Sequence, residues 1–200
     1  MILPKPRKID VERYIGGLSK INKVNNPIKL SANESALGPS PKALEAFTRD
    51  KNKIFKYPES DASSLRNVIA KKFNIDEERI ICGSGSDQIF DLTCQLFIEP
   101  GDEVIVTEFG FIMHRIYASL YQAKVKVAKE NFFKSSVDEI LKNVSNKTKI
   151  VFIANPNNPT GTYISENSML DLRKKLRSDI LLVVDDAYFE FLNKKDYVSG

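Results

Sequence analysis

Three polar side chains late in the sequence have the types that could hold a heteroaromatic ligand and control its charge. Asn158 lies in the turn Asn-Pro-Asn-Asn-Pro-Thr-Gly at 155–161, and Asp185 and Tyr188 lie in the segment Asp-Asp-Ala-Tyr at 185–188. Each segment directly follows a strongly apolar run. Because open α/β sheets bind ligands at the carboxyl ends of their strands, we expect an amide, a carboxylate and a phenol to converge at one edge.

Asp185 is the most demanding of the three groups. It ends the apolar run 180–184, where a carboxylate is costly unless it meets a cation or several donors. A protonated ring nitrogen would be such a cation, and the carboxylate would raise the pKa of that nitrogen in return. The alternative is an aspartate that caps a helix or turn, a role for which Asp186 is the stronger candidate. Asn158 can donate from its amide nitrogen between two prolines, and the alternative there is a plain turn.

A glycine turn and an aromatic residue follow two earlier strand-like runs. The turn Gly-Ser-Gly-Ser-Asp-Gln at 83–88 opens a helix-like run, and the free N–H groups at a helix start favour a phosphate. Gln88 occupies the third glycine position of a dinucleotide fingerprint, and no Gly-Lys-Ser/Thr follows, so neither a nucleotide-binding Rossmann fold nor a P-loop is predicted. An anion site and an ordinary strand-to-helix turn both stay open. Phe109 could stack on a planar ring or fill the core.

Alternating strands and helices would position these groups. The predicted strands are 79–82, 103–107, 124–128, 149–154 and 180–185. The predicted helices are 41–48, 60–73, 86–97, 111–121, 136–144 and 165–177, with N-caps at Ser40 and Ser165. This alternation implies βαβ units and an α/β fold of three layers, α-β-α, with a mainly parallel sheet covered on both faces. The pattern stops at residue 200 with the sheet unfinished.

Composition narrows the classes of protein that fit. The 200 residues are 42% hydrophobic and 28% charged, with 30 basic against 26 acidic residues and no long basic tract, so no nucleic-acid partner is expected. No signal peptide or membrane-length apolar run is present, which predicts a cytoplasmic, soluble protein. Cys82, Cys94 and the single His114 show neither C-x-x-C nor zinc spacing, so no metal is predicted and both cysteines are expected to be reduced core residues.

These motifs resemble those of the fold-type I pyridoxal-phosphate (PLP) aminotransferases, and within them the chain is most similar to the histidinol-phosphate aminotransferases. The similarity covers most of the chain. Its blocks begin at Tyr14 (Tyr-Ile-Gly-Gly), Leu30 (Leu-Ser-Ala-Asn-Glu), Gly38 (Gly-Pro-Ser-Pro), Tyr57 (Tyr-Pro), Gly85 (Gly-Ser-Asp-Gln), Asn158 (Asn-Pro-Thr-Gly) and Asp185 (Asp-Asp-Ala-Tyr). The last three, in this order and at these intervals, are specific for the superfamily, and the amino-terminal blocks point to the subgroup.

The resemblance implies how a PLP cofactor would be held. Backbone donors at Ser86, Asp87 and Gln88 would bind the cofactor phosphate. Phe109 would stack on the pyridine ring, a position where relatives often have tyrosine. Asp185 would pair with the pyridinium nitrogen and keep it protonated, which deepens the electron sink that PLP supplies.

Five further residues receive roles from the same resemblance. Asn158 and Tyr188 would hydrogen-bond the hydroxyl oxygen of the cofactor ring. Tyr57 would reach across a homodimer interface to the cofactor phosphate of the partner subunit. Tyr14 and Asn33 would lie near the substrate.

The resemblance also implies that the catalytic groups lie elsewhere. The Schiff-base lysine of the family, in a Ser-Lys block, and the arginines that bind phosphate and carboxylate would fall beyond Gly200. Lys194 and Lys195 lack that context and are not assigned, so no catalytic residue is predicted within the chain, which alone would not perform transamination. The predicted domains are an amino-terminal arm with the start of a small domain at 1–40, and an incomplete PLP-binding large domain at 41–200.

The predicted activity is amino transfer between histidinol phosphate and 2-oxoglutarate, which would give imidazole acetol phosphate and glutamate in histidine biosynthesis. Two alternatives belong to the same superfamily: a PLP-dependent decarboxylase of a phosphorylated amino acid and an aminotransferase for aromatic substrates. Another alternative is a non-catalytic binding protein that keeps the PLP fold. The small molecules implied as partners are an amino donor and a 2-oxo acid.

Overall fold

The chain folds into two compact units in the computed structural model, which describes residues 9–200. One unit comprises residues 83–200 together with 9–13, and the other comprises residues 14–82. The predicted domain boundary near residue 40 stays a prediction. Among the described residues, no helix has the length and apolar character needed to cross a bilayer.

A parallel sheet forms the centre of the unit of residues 83–200. Its strands are β1 (Glu103–Thr107), β2 (Lys124–Ala128), β5 (Thr148–Ala154) and β6 (Leu181–Asp185), and a small antiparallel hairpin pairs β3 (Glu130–Asn131) with β4 (Lys134–Ser135). The four parallel strands lie in the order β2-β1-β5-β6. Thr107 pairs with Ala128, and Ala154 pairs with Asp185. The carboxyl ends of the strands therefore lie along one edge of the sheet, where the predicted site residues follow.

Helices cover both faces of this sheet. They are α3 (Ser86–Phe97), α4 (Ile112–Leu120), α5 (Val137–Lys142) and α6 (Glu166–Lys175), whereas α1 (Pro41–Asp50) and α2 (Ser63–Phe73) belong to the unit of residues 14–82. One buried cluster joins Val104 and Phe152 to residues of α3 and α4, and the other joins Ile105 and Val151 to residues of α5 and α6. Consecutive strand residues thus point into opposite clusters, which confirms the predicted three-layer α/β fold with a mainly parallel sheet.

Serine side chains begin three of the helices. The hydroxyl of Ser40 accepts from the N–H of Ala43 at the start of α1, with proline in the first turn. Ser165 accepts from the N–H of Ser168 at the start of α6. Ser136 caps α5 in the same way. Each hydroxyl satisfies an N–H that has no partner within its own helix, so the predicted caps at Ser40 and Ser165 are confirmed.

Two sequence predictions of local structure were wrong, and one hairpin was not predicted. Residues 79–82 are not a strand: Ile80 is extended, but this segment pairs with no strand among the described residues, and a strand needs a neighbour to bond. The helix predicted at 60–73 begins at Ser63, because Ala62 has a left-handed conformation with φ 51°. The β3–β4 hairpin was not predicted, since its paired segments are only two residues long.

The unit of residues 14–82 buries little apolar surface within itself. Neither α1 nor α2 contains a buried residue. The apolar side chains of Leu65 and Val68 on α2 are exposed. Polar contacts hold the end of this unit instead, since the guanidinium of Arg66 donates to the carbonyl oxygen of Glu77 at 2.8 Å.

Candidate active site

Asp185 is a nearly buried carboxylate at the last position of β6, with only 9% of its side chain exposed. Its backbone carbonyl accepts from the N–H of Asn155, which joins β6 to the turn after β5. Its Oδ1 accepts from the N–H of Ala187 at 3.2 Å. Among the described residues, no lysine or arginine pairs with this carboxylate, and its ionisable neighbour is His114. A buried carboxylate with so little compensation suits a site completed by a cation.

His114 is a functional candidate that the sequence analysis considered only as a metal ligand. The imidazole is buried in α4, stacked on Phe152 with ring centroids 5.0 Å apart, and Phe90 meets it edge-on. Its Nε2 lies 3.4 Å from Oδ2 of Asp185. This separation is longer than a charge-assisted bond of about 2.7–2.9 Å, and within residues 9–200 Nε2 has no hydrogen-bond partner. The sequence signal that could have identified His114 was its position in the helix after β1, four residues before Ala118 and so on the same buried face.

The turn after β5 contains three asparagines, two of which hold the turn together through their side chains. The side chain of Asn155 both donates to and accepts from the backbone of Ile164. The amide nitrogen of Asn157 donates to the carbonyl of Phe109 at 3.2 Å and to the hydroxyl of Thr160 at 2.8 Å. Both of these asparagines are buried, whereas Asn158 is half-buried. Two asparagines thus fix the turn that carries Asn158, and the role of Asn158 toward a ligand stays a prediction.

The glycine turn leaves the start of α3 open. Gly85 is the N-cap residue with φ 79°, a conformation that favours glycine, and no side chain in the described part of the protein caps the helix. A Cβ on Gly83 would lie only 3.0 Å from Oε1 of Gln88. That same oxygen accepts from the N–H of Ser84 at 2.6 Å and holds the turn closed. The Gln88 side chain therefore has a structural role, and uncapped N–H groups remain at the helix start for an anion.

Phe109 does not fill the core, because 41% of it is exposed. The core alternative for this residue is therefore excluded. Its ring lies against that of Phe133, with centroids 5.0 Å apart and planes tilted by 52°. Its backbone N–H donates to Oε1 of Glu130 at 3.3 Å. The ring is thus presented beside the turn that carries Asn158, since Asn157 bonds its carbonyl.

Asp186 has the structural role that the sequence analysis preferred for it. Its Oδ2 accepts from the hydroxyl of Ser199 at 2.8 Å and from the N–H of Gly200 at 2.6 Å. The hydroxyl of Tyr197 lies 3.1 Å from its Oδ1 and 2.8 Å from the carbonyl oxygen of Asn155. Burial, together with the Asp186 charge, raises the pKa of Tyr197.

The remaining predicted residues are placed but their roles are not decided. Tyr188 is half-buried, three residues after Asp185, with its ring tilted against Phe191. Tyr14, Asn33 and Tyr57 belong to the unit of residues 14–82, and Tyr57 is fully exposed. Their contacts with cofactor or substrate stay predictions.

The prediction that both cysteines are core residues holds only for Cys94, since Cys82 is half-buried. Both are free, and Cys94 is buried, which raises the pKa of its thiol to about 12.

A cavity of about 460 Å³ lies at the opposite end of the sheet, where Lys149 and Leu181 lie near the starts of β5 and β6. It is therefore separate from the edge that carries Asp185.

Comparison with known proteins identifies the family of the chain. Residues 25–200 match the family model of aminotransferase class I and II. A histidinol-phosphate aminotransferase of Pelagibacter ubique is 56% identical over all of this chain and 56% of its own length. One of Paramagnetospirillum magneticum is 45% identical over 98% of this chain and 54% of its own length. The chain thus spans about half the length of these relatives.

Solved structures show the same fold. Histidinol-phosphate aminotransferase from Sinorhizobium meliloti, in complex with pyridoxal-5'-phosphate, matches with a TM-score of 0.79 at 23% identity, over 83% of this chain and 45% of that one. Aspartate aminotransferase from Rhizobium meliloti matches with a TM-score of 0.78 at 21% identity, over 85% of this chain and 46% of that one. The predicted fold class is confirmed.

Proposed function

Because the chain belongs to the class I and II aminotransferase family, we propose that the protein transfers an amino group between histidinol phosphate and 2-oxoglutarate with PLP as cofactor. The products would be imidazole acetol phosphate and glutamate, in histidine biosynthesis. Relatives at 40–56% identity that carry the name histidinol-phosphate aminotransferase support this substrate. The structural observation that carries the proposal is the nearly buried Asp185 carboxylate, which no lysine or arginine of the described residues pairs with.

The groups at the sheet edge fit PLP in charge and shape. The uncapped start of α3 suits a phosphate, because free N–H groups and the helix dipole both favour an anion there. The Asp185 carboxylate suits a protonated ring nitrogen. The exposed ring of Phe109 suits a planar heterocycle. When bound, PLP supplies an electron sink for charge that develops on the substrate.

The protein side chains then have distinct tasks. Asp185 holds a proton at the ring nitrogen, since a nearby carboxylate favours the protonated form of a base. The imidazole of His114 packs against this carboxylate, with Nε2 3.4 Å from Oδ2, and limits the space into which the carboxylate can move. Ser86, Asp87 and Gln88 offer backbone N–H groups to the phosphate, and each of these groups is at the start of α3.

The proposal includes further contacts that the family resemblance implies. Asn158 and Tyr188 would bond the ring hydroxyl oxygen. Tyr57 would contact the cofactor phosphate of the partner in a homodimer, for which its full exposure leaves it accessible. Tyr14 and Asn33 would contact the substrate.

An assay of the full-length protein loaded with PLP tests this function. With histidinol phosphate and 2-oxoglutarate, we expect glutamate to form, and phenylalanine in place of histidinol phosphate to react far more slowly. Faster turnover with phenylalanine would move the protein to the aromatic alternative. Formation of carbon dioxide without glutamate would favour a decarboxylase. Failure to bind PLP at all would leave the non-catalytic alternative.

A further inference from the structure

The turn of the β3–β4 hairpin has an unusual sequence for its backbone. Phe132 and Phe133 are its two central residues, and both have left-handed conformations, with φ 51° and 60°. Two-residue hairpins with positive φ at both positions strongly prefer pairs such as Asn-Gly, because a Cβ disfavours this conformation. Strained positions of this kind persist only when surrounding contacts hold them, and they cluster at functional sites.

Hydrogen bonds hold the tip of the hairpin to the turn after β5. The hydroxyl of Thr162 donates to the carbonyl of Phe133 at 2.6 Å. The hydroxyls of Thr160 and Thr162 lie 2.8 Å apart, and the amide nitrogen of Asn157 donates to that of Thr160 at 2.8 Å. The position of Phe133 is therefore coupled to the same turn that carries Asn158.

The base of the hairpin is tied to the end of β1. Glu108 accepts from the N–H of Glu130 at 3.1 Å and pairs with Lys129 at 2.6 Å. The hydrogen bond from Lys129 lowers the pKa of Glu108, so this carboxylate stays charged. Glu130 in turn accepts from the N–H of Phe109 at 3.3 Å. The hairpin thus approaches Phe109 from the side of its backbone nitrogen.

These contacts fix the backbone of Phe109 on both sides. Its N–H bonds Glu130, and its carbonyl accepts from Asn157. With the backbone held, the Phe109 ring can move only by rotation about its side-chain torsions. The ring of Phe133 lies against the Phe109 ring, with centroids 5.0 Å apart. Phe132, the other aromatic of the turn, is 91% exposed. The strained turn therefore directs one of its two rings onto Phe109.

We propose that Phe133 is a positioning residue: it holds the Phe109 ring in the orientation in which that ring stacks on a bound cofactor. This inference rests on the proposed function, since it concerns the same PLP site. It accounts for a backbone conformation that the sequence itself disfavours, and for the ties that hold both ends of the hairpin.

Alanine variants of the two phenylalanines in the full-length protein test the proposal. F133A and F132A place the same side chain at equally left-handed positions, so they match in backbone preference. Loss of an aromatic pair corresponds to about a 2- to 10-fold change in an equilibrium constant. We expect F133A to raise the PLP dissociation constant by about this factor and to reduce the circular dichroism of bound PLP, and F132A to change neither. F133Y should keep the wild-type values, because it restores the ring.

Glycine variants separate positioning from folding. Glycine adopts positive φ without strain, so F133G and F132G should both raise Tm. F133G should nevertheless weaken PLP binding, whereas F132G should not. A purely structural Phe133 would predict unchanged or better cofactor binding in F133G, and that result would overturn the inference. Equal PLP affinity of F133A and wild type would do the same. A wild-type protein that binds no PLP would instead contradict the proposed function.

Discussion

Two neighbouring carboxylates at the end of β6 lie in opposite surroundings. Asp186 receives hydrogen bonds from the Ser199 hydroxyl and the Gly200 N–H, and the Tyr197 hydroxyl is within reach. Asp185 receives one backbone hydrogen bond and faces an imidazole at 3.4 Å. Donors of the protein itself thus satisfy the Asp186 carboxylate. The Asp185 carboxylate keeps the capacity to accept further hydrogen bonds from a ligand. Asp186 therefore holds the local chain in place, and Asp185 is the carboxylate to which the proposed function gives a role at the cofactor.

The largest expected effect is on activity in the full-length D185N variant. Asparagine keeps the shape and an acceptor for the Ala187 N–H, but it cannot supply the negative charge that holds a proton at the ring nitrogen. We expect kcat for transamination to fall about 100- to 1000-fold, the range for loss of one preorganised electrostatic contact. Tm should change little. An active D185N enzyme would contradict the distinction between the two carboxylates.

The opposite pattern is expected for D186A. Removal of this carboxylate takes away the acceptor of three hydrogen bonds, one from the half-buried Tyr197 hydroxyl and two from the exposed Ser199 hydroxyl and Gly200 N–H. We expect a loss of about 1–3 kcal/mol in the free energy of unfolding, measured with urea, and PLP affinity within about 3-fold of wild type. Weakened PLP binding without a loss of stability would show that Asp186, too, belongs to the cofactor site.

The sequence predicted this contrast because its signals were local. Asp185 directly follows an apolar run. Asp186 is one residue further along, outside that run, and was therefore the stronger candidate for a turn residue. Strands such as 103–107 and 124–128 were located to the residue, since short β-branched runs between turns have few other structures open to them.

The features that were missed depend on distant contacts. His114 is a functional candidate because it lies next to Asp185, which is 71 positions later in the chain and comes close to it only in the folded protein. The β3–β4 hairpin contradicts the turn preferences of its own sequence, and contacts from Thr162 and Glu108 hold it. Residues 79–82 read as a strand, but a strand forms only where a partner is present.

A smaller effect on activity is expected for H114F. Phenylalanine keeps an aromatic ring against Phe152 but removes the nitrogen that faces Asp185. Without this contact the Asp185 carboxylate is positioned less firmly, and we expect kcat to fall about 10-fold. Tm should hold or rise, because the variant also removes a buried polar atom that lacks a hydrogen bond.

I116V on the same helix provides the control for H114F. Ile116 is buried, so this change should cost about 0.5–1.5 kcal/mol of stability without an effect on kcat. If H114F lowers Tm and leaves kcat unchanged, His114 is a packing residue.

The smallest effect concerns Tyr197, on the Asp186 side, and it depends on pH. Y197F removes one hydroxyl hydrogen bond and should cost about 1 kcal/mol at neutral pH. Burial and the Asp186 charge raise the pKa of Tyr197 above its ordinary 10.0, because both disfavour the phenolate. As the pH rises, the unfolded protein therefore loses this proton at a lower pH than the folded protein does. This lowers the unfolding free energy of wild type above about pH 10, whereas Y197F has no hydroxyl to ionise and shows no such decrease from this position.

The stability difference between wild type and Y197F should consequently be constant below pH 10 and shrink above it, because the other tyrosines titrate alike in both proteins. Urea unfolding at pH 7, 9 and 10.5 measures this difference. A difference that stays constant across all three values would mean that the Tyr197 hydroxyl ionises as easily in the folded protein as in the unfolded one. The Asp186 corner would then be open to solvent, and its contrast with the site around Asp185 would disappear.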